Sequence, residues 1–180
     1  MPENKEAIVI RQLTAADTAA LQLPNEPFGL VGRMVVTRDA AGWHQEVVPA
    51  AKPSEQTFPD EHYQYTDIAQ HGFALGAFAG TQPVGLATYE DAMFKYLYLD
   101  DLKVNAAYRG RGIGRRLIQG ARAEAQRRGY QGIYTIGQDN NVIACRFYLG
   151  AGFQIGGLNT RGYAHTVQED KQDIYFYWDF

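Results

Sequence analysis

The stretch from Tyr96 to Leu117, YLYLDDLKVNAAYRGRGIGRRL, constrains this chain more than any other. It reads as a strand, a short turn, a glycine-rich loop and the opening of a helix. The strand alternates, with Leu97, Leu99 and Asp101 on one face and Tyr96, Tyr98 and Asp100 on the other. From about Gly114 a helix runs on, and Ile113, Leu117, Ala121 and Ala125 form one apolar stripe. Between strand and helix lies Arg109-Gly110-Arg111-Gly112-Ile113-Gly114. Three glycines in five residues let backbone N–H groups approach a ligand, and a helix N-terminus adds positive potential. Such a site suits phosphate.

With 180 residues the chain is long enough for one well-cored domain and short for two, so a single domain over 1–180 is expected. Its one cysteine, Cys145, excludes an internal disulfide framework and fits a reducing compartment. The start, MPENKEAIVI, lacks a signal-peptide core, and no run approaches about twenty apolar residues. A soluble, cytoplasmic protein with no membrane partner is expected. Between Arg109 and Arg128 seven arginines face one acid, Glu124, giving +6; with a net charge of −3, the remainder is −9. A basic island in an acidic chain suggests one local anionic ligand and not a nucleic-acid track, which needs a wider basic surface.

Taken in order, Ala7 to Leu13 reads as a first strand and Ala15 to Leu21 as a short helix, started by Thr14 and Asp17 and ended by Pro24 and Pro27. Phe28 to Thr37 and Trp43 to Val48 form a hairpin about Asp39-Ala40-Ala41-Gly42. Pro49 to Ile68, with two further prolines, reads as a loop or irregular helix that would cover a cleft. A second hairpin joins Phe73–Phe78 to Pro83–Tyr89. Past the glycine loop, Arg128-Gly129 closes one long helix. Ile133 to Ile136 is a strand, and Asp139-Asn140-Asn141 offers N-caps for a helix from Val142 to Leu149. Phe153 to Leu158 and Ile174 to Trp178 are the last strands, separated by a polar connection from Asn159 to Asp173. Antiparallel strands first, then two helical crossovers, describe one mixed α/β domain.

Two phosphate-binding plans do not fit the loop. A nucleoside-triphosphatase P-loop needs Gly-Lys-Ser/Thr, and Arg115-Arg116 follow Gly114. A dinucleotide fingerprint needs a glycine where Arg115 stands and normally opens its domain. Arg109-x-x-Gly112-x-Gly114 between strand and amphipathic helix instead resembles the coenzyme-A loop of the Gcn5-related N-acetyltransferases. Asn141, Tyr148 and Gly152-Phe153 follow in that family's order. Within the family the chain is most similar to the streptothricin acetyltransferases. Pro24-Asn25-Glu26-Pro27-Phe28, the run from Gln138 to Tyr148 and the tail from Gln154 through Tyr175 to Phe180 carry this likeness. It departs from that pattern at Ile136, at Asn159 and near Met93, where the relatives carry a glutamate, an aspartate and a tryptophan.

The resemblance implies an α/β fold, a mostly antiparallel mixed sheet flanked by helices, with splayed central strands receiving acetyl-CoA. It assigns the pyrophosphate to the loop Arg109, Gly110, Arg111, Gly112, Ile113, Gly114 and Arg115, through the amides of Arg111 to Arg115 with arginine side chains adding charge. The pantetheine arm would lie along Leu102, Lys103 and Val104, with the Val104 amide polarising the thioester carbonyl and Asn141 bonding the arm. An alkyl ammonium has a pKa of about 10.4, so it must lose a proton before it attacks. Asp101, then Asp100, are the candidate bases, and because adjacent strand residues face opposite ways at most one should point into the site. Tyr148 is the candidate acid for the coenzyme-A thiolate. Cys145 reads as packing, and His44, His62, His71 and His165 lack metal-ligand spacing, so no metal is implied. The expected reaction is acetyl transfer to a small primary amine, a streptothricin-type antibiotic being one acceptor. A peptide or protein amine, or turnover-free binding of acyl-CoA, are the alternatives. Edge strands near the C-terminus admit a homodimer.

Overall fold

Most of the chain ahead of Asn105 is strand, and the apolar stripe that starts at Ile113 is helix. The computed structural model describes residues 7–92 and 94–180. In order the elements are β1 (Ile8–Gln12), α1 (Thr18–Leu21), β2 (Phe28–Asp39), β3 (Gly42–Gln56), α2 (Tyr65–His71), β4 (Gly72–Ala79), β5 (Gln82–Glu90) and β6 (Tyr96–Val104). After a 3-10 turn at Ala106–Tyr108 come α3 (Ile113–Gly120), α4 (Arg122–Arg127), β7 (Gly132–Gln138), α5 (Val142–Gly150), β8 (Gln154–Asn159) and β9 (Asp173–Asp179). Two compact units result, Met1–Glu26 with Pro59–Gln131 and Pro27–Phe58 with Gly132–Phe180. The class is the expected α/β one, with seven sheet strands, four in the first unit and three in the second.

In the first unit β1, β4, β5 and β6 pair antiparallel in the order β1-β4-β5-β6. Every residue of β4 is buried, because helices cover both of its faces. On one side Leu13, Ala20, Leu21, Leu23, Ala74, Phe78 and Leu86 form a core on which Tyr63, Tyr65 and Ile68 pack. On the other lies the stripe predicted from sequence: Ile113, Leu117, Ala121 and Ala125 are all buried. Gly85 admits that helix closely, since a Cβ there would meet Ile113 and Leu117 at 3.3 Å. The helix differs from expectation in one respect. Ala121 N bonds Ile118 O at 3.2 Å, a tightened turn that divides it into α3 and α4 while the stripe continues through. Its C-terminal stop is as predicted: Gly129 has φ +89°, and Tyr130 N reaches back to Ala125 O at 3.0 Å.

Two other boundaries are corrected. The first helix starts only at Thr18, because Asp17 is occupied by Arg11 and by the backbone and hydroxyl of Thr14. The segment from Pro49, expected to be loop or irregular helix, is strand as far as Gln56. It belongs to a two-stranded ribbon with β2, where each strand has an outer edge on which a proline lacks no partner. Its register slips between Leu30 and Gly32, which absorbs the irregularity about Pro49.

In the second unit β7, β9 and β8 pair antiparallel, with β9 central and its Ile174 and Phe176 buried. Helix α5 covers them through Val142, Cys145 and Tyr148. Asn141 caps it as predicted, its Oδ1 accepting Ala144 N at 3.1 Å. The ribbon is tied to this unit by Met34 N on Asp139 O, 2.8 Å, and by Arg33 on the buried Asp139 carboxylate, 2.7 Å.

Candidate active site

The glycine loop forms because two residues take a conformation other residues adopt only at a cost. Gly110 has φ +73° and Gly112 φ +75°, and a Cβ on either would meet nothing within 4 Å. Their role is therefore backbone conformation, with open space on the outer side. The first bond of α3 is Arg116 N to Gly112 O, 3.0 Å, so the amides of Ile113 and Gly114 open the helix ahead of it. Amides at the start of a helix, with open space beside them, suit a phosphate group.

The arginine side chains mostly brace this loop. Arg109 donates Nε to Val104 O at 2.9 Å and pairs with Glu26 at 3.3 Å. Glu26 also accepts the Ala106 amide, so it holds both ends of the 3-10 turn. Arg111 donates to Ala107 O at 3.2 Å and lies 4.9 Å over the Tyr108 ring. Of these two, Arg109 has its charge paired with an acid, Glu26, while Arg111 keeps its charge beside the loop.

Midway along β6 the strand departs from simple alternation. Thr88 of β5 pairs with Asp101 but Tyr89 pairs with Leu99, leaving Asp100 as a bulged extra residue. The bulge breaks the strict alternation on which the expectation of a single site-facing aspartate rested. Both carboxylates converge on one phenol: Tyr63 Oη lies 3.4 Å from Asp100 Oδ2 and 3.4 Å from Asp101 Oδ2. Thr88 Oγ1 also approaches Asp100 at 3.4 Å. Lys103, two residues on and on the same face as Asp101, sends its ammonium to Glu61 at 2.5 Å and Asp101 at 3.1 Å. Its side chain is therefore part of this cluster.

The electrostatics follow from burial. Withdrawal from water lifts the Asp101 carboxyl to about 6, opposed by the Lys103 ammonium and reinforced by Glu61 and Asp100. Asp100 is raised for the same first reason, with hydrogen bonds from Thr88 and Tyr63 opposing. Burial and the adjoining acids push the Tyr63 phenol upward, so it stays a donor. A carboxylate raised in this way can accept a proton near neutral pH.

Glu26, Glu61, Tyr63 and Thr88 were not singled out from sequence. Two signals were present. Asn25 and Glu26 lie in the run that carries the streptothricin-acetyltransferase likeness, and Glu61 and Tyr63 lie in the acid- and aromatic-rich segment before α2. The structure connects them: Asn25 donates its backbone N–H to the Asp60 carboxylate at 2.7 Å, and its Nδ2 reaches Pro59 O and Glu61 Oε1 at 2.8 Å.

The second unit holds the other predicted residues. Asn141 has committed its side-chain oxygen to capping, which leaves its amide N–H groups as donors. Tyr148 is buried among Phe147, Phe153 and Phe176, with ring centroids 5.5–5.7 Å apart. Cys145 is fully buried, and burial pushes its thiol up to about 12, as a packing residue requires. Ile136 pairs with Tyr175, and Asn159 with Asp173. Beside them Gln138 donates to Tyr163 Oη at 2.8 Å and Tyr163 to Asp173 at 2.9 Å. Met93 lies outside the described residues. No helix among the described residues is long and apolar enough to cross a membrane.

A glycine loop that follows the strand bearing a carboxylate cluster suits transfer from a coenzyme-A thioester, and comparison with known proteins agrees. Residues 39–153 match the acetyltransferase (GNAT) family, and the chain belongs to that family and is an acetyltransferase. It is 25% identical to streptothricin acetyltransferase A of Bacillus subtilis over 96% of this chain and 100% of that protein. It is 33% identical to the N-alpha-acetyltransferase RimI of Mycobacterium tuberculosis, over 69% of this chain and 76% of that one. A crystal structure of a Bacillus anthracis protein assigned as a streptothricin acetyltransferase, in complex with acetyl coenzyme A, superposes with a TM-score of 0.85. That likeness covers 98% of this chain and 99% of the other at 26% identity.

Proposed function

We propose that the chain is a single-domain cytoplasmic enzyme that transfers the acetyl group of acetyl-CoA to a primary amine of a small molecule, of the streptothricin type. The observation that supports this best is the cluster of Glu61, Tyr63, Asp100 and Asp101, whose last member stands three residues before Val104 on the strand leading to the phosphate loop. Acetyl-CoA supplies an activated thioester. The amides of Ile113 and Gly114, with those of the glycine loop, hold its pyrophosphate; the backbone from Leu102 to Val104 aligns its arm, and Asn141 donates to it. The carboxylates attract the acceptor ammonium and take up its proton, and Tyr148 is the proton donor for the departing thiolate. A homodimer through the edge strand β8 belongs to the same proposal, and light scattering of the purified chain checks it.

The test is release of free thiol from acetyl-CoA across an amine panel holding streptothricin, simple mono- and polyamines, and peptides with free N-termini or lysines. Turnover of streptothricin or another small amine is expected. A panel silent throughout, with acetyl-CoA still bound in calorimetry, would leave a binding module in place of an enzyme. The 33% identity to an N-alpha-acetyltransferase supports a second reading, in which the acceptor is a peptide amine. Turnover confined to the peptides would establish it.

A further inference from the structure

Lys103 is the least expected member of the cluster. Its side chain is only 10% exposed, less than its partners Asp101 at 19% and Glu61 at 31%. A buried ammonium is costly unless it is paired, and here two carboxylates and the Tyr63 ring, 5.7 Å away, surround it. One of those carboxylates is itself fixed, since Asn25 Nδ2 holds the other oxygen of Glu61 at 2.8 Å. The long, flexible lysine side chain is thereby anchored at its tip, and its second contact falls on Asp101 Oδ2. Asp100 has different company: among the described residues its carboxylate meets two neutral hydroxyls, from Tyr63 and Thr88, each at 3.4 Å.

We propose that Lys103 is the positioning residue of the active site: anchored by Glu61, its ammonium fixes the Asp101 carboxylate and keeps it ionised, so that Asp101 and not Asp100 takes the acceptor's proton. This rests on the acetyl-transfer reading above. The groups facing Asp101 are Glu61 and Tyr63 from the segment before α2, Thr88 from β5, and Asp100 and Lys103 from β6; Glu90, at the end of β5, acts through Asp100. Every charge in that set except Lys103 is negative. Without the lysine, burial and the neighbouring acids would raise Asp101 until it was already protonated at neutral pH and unable to act as a base. With it, Asp101 takes one proton from the ammonium and leaves a neutral amine. The amine nitrogen bonds to the thioester carbon and the C–S bond breaks. The second nitrogen proton balances the departing thiolate, and the proton on Asp101 returns to water.

The test is the pH dependence of kcat/KM for the acceptor, which reports the free enzyme's base. Lys103→Met should move the acid limb alkaline by about one pH unit or more, with the rate recovering at higher pH. Lys103→Arg, which retains the charge, should restore the limb. Glu61→Gln removes a like charge from beside Asp101 and should move it the other way, toward acid. A packing role alone would not produce shifts of opposite sign. Asp101→Asn should abolish the limb. If Lys103→Met turns over with its limb unmoved, or if the limb survives Asp101→Asn, the inference is overturned. Should Lys103→Met fail to fold, Lys103→Gln, which keeps a polar tip between Glu61 and Asp101 without the charge, decides, and an unmoved limb sinks the proposal. If the unaltered chain turns over no amine, the transfer reading falls and takes this inference with it; an unmoved limb with turnover intact overturns the inference alone.

Discussion

Asp100 and Asp101 are adjacent and chemically identical, and their surroundings alone separate them. As the base, Asp101 should matter most: Asp101→Asn is expected to lower kcat/KM by about 10²–10⁴-fold, and Asp100→Asn by clearly less, in the thiol-release assay. Stability should respond in the opposite sense. In the folded chain Asp101 titrates at about 6, above the ordinary 3.8 it has when unfolded, so between those values the folded state binds more protons. Its contribution is therefore favourable at low pH and is lost as pH rises toward 6. Relative to the unaltered protein, Asp101→Asn should gain on the order of 2 kcal/mol in urea denaturation between pH 4 and pH 7, and a constant difference across that range would refute the buried-carboxylate account. Asp100 and Asp101 were legible in the sequence because they end an apolar strand ahead of a phosphate loop. Glu61 and Tyr63 were not, since they reach β6 from about forty residues away through side-chain contacts that no local period encodes. Nor was the shared approach of both aspartates to Tyr63. It depends on a bulge, and a bulge is a property of two paired strands and not of one.

At the level of elements, the loop and the helix it opens carried most of what could be read in advance. Three glycines, the apolar stripe and the Gly129 stop are local signals, and each is present in the structure. What escaped was length: β3 runs on through two prolines because it lies in a two-stranded ribbon, and α3 separates from α4 at one tightened turn that the stripe does not register. Gly112 provides the sharpest test of the loop. Its φ of +75° lies where a side chain costs about 1–2 kcal/mol, while the space around it is open. Gly112→Ala should thus weaken acetyl-CoA binding by about 5- to 30-fold in calorimetry and leave the KM of the amine nearly unchanged. Equal losses for both substrates would mean that the loop does not hold the donor specifically. At α5, Asn141 has a structural duty besides its proposed one, so Asn141→Ala should cost about 0.5–2 kcal/mol of stability in addition to any loss of affinity.

Over the whole chain, the two units are each assembled from separated pieces of sequence, and the chain passes from one to the other at Glu26, at Phe58 and at Gln131. Neither unit can be cut out as one continuous fragment. The first depends on Leu13, Leu21 and Leu23 from before the first crossing to cover β4 and β5, and the second on the β2–β3 ribbon, tied through Arg33 and Met34 to Asp139. Losing either early piece would expose core or strand an aspartate that is 2% exposed, so partial unfolding has little to recommend it. A single cooperative transition is expected, with calorimetric and van't Hoff enthalpies in agreement. Donor binding should move that transition as a whole. At a hundred times its dissociation constant, acetyl-CoA adds about 2.7 kcal/mol to the folded state, and for a chain of this size that corresponds to a rise of roughly 5–10 °C in Tm. Two resolved transitions, only one of which follows the ligand, would show that the units fold independently and that the phosphate loop serves its own unit alone.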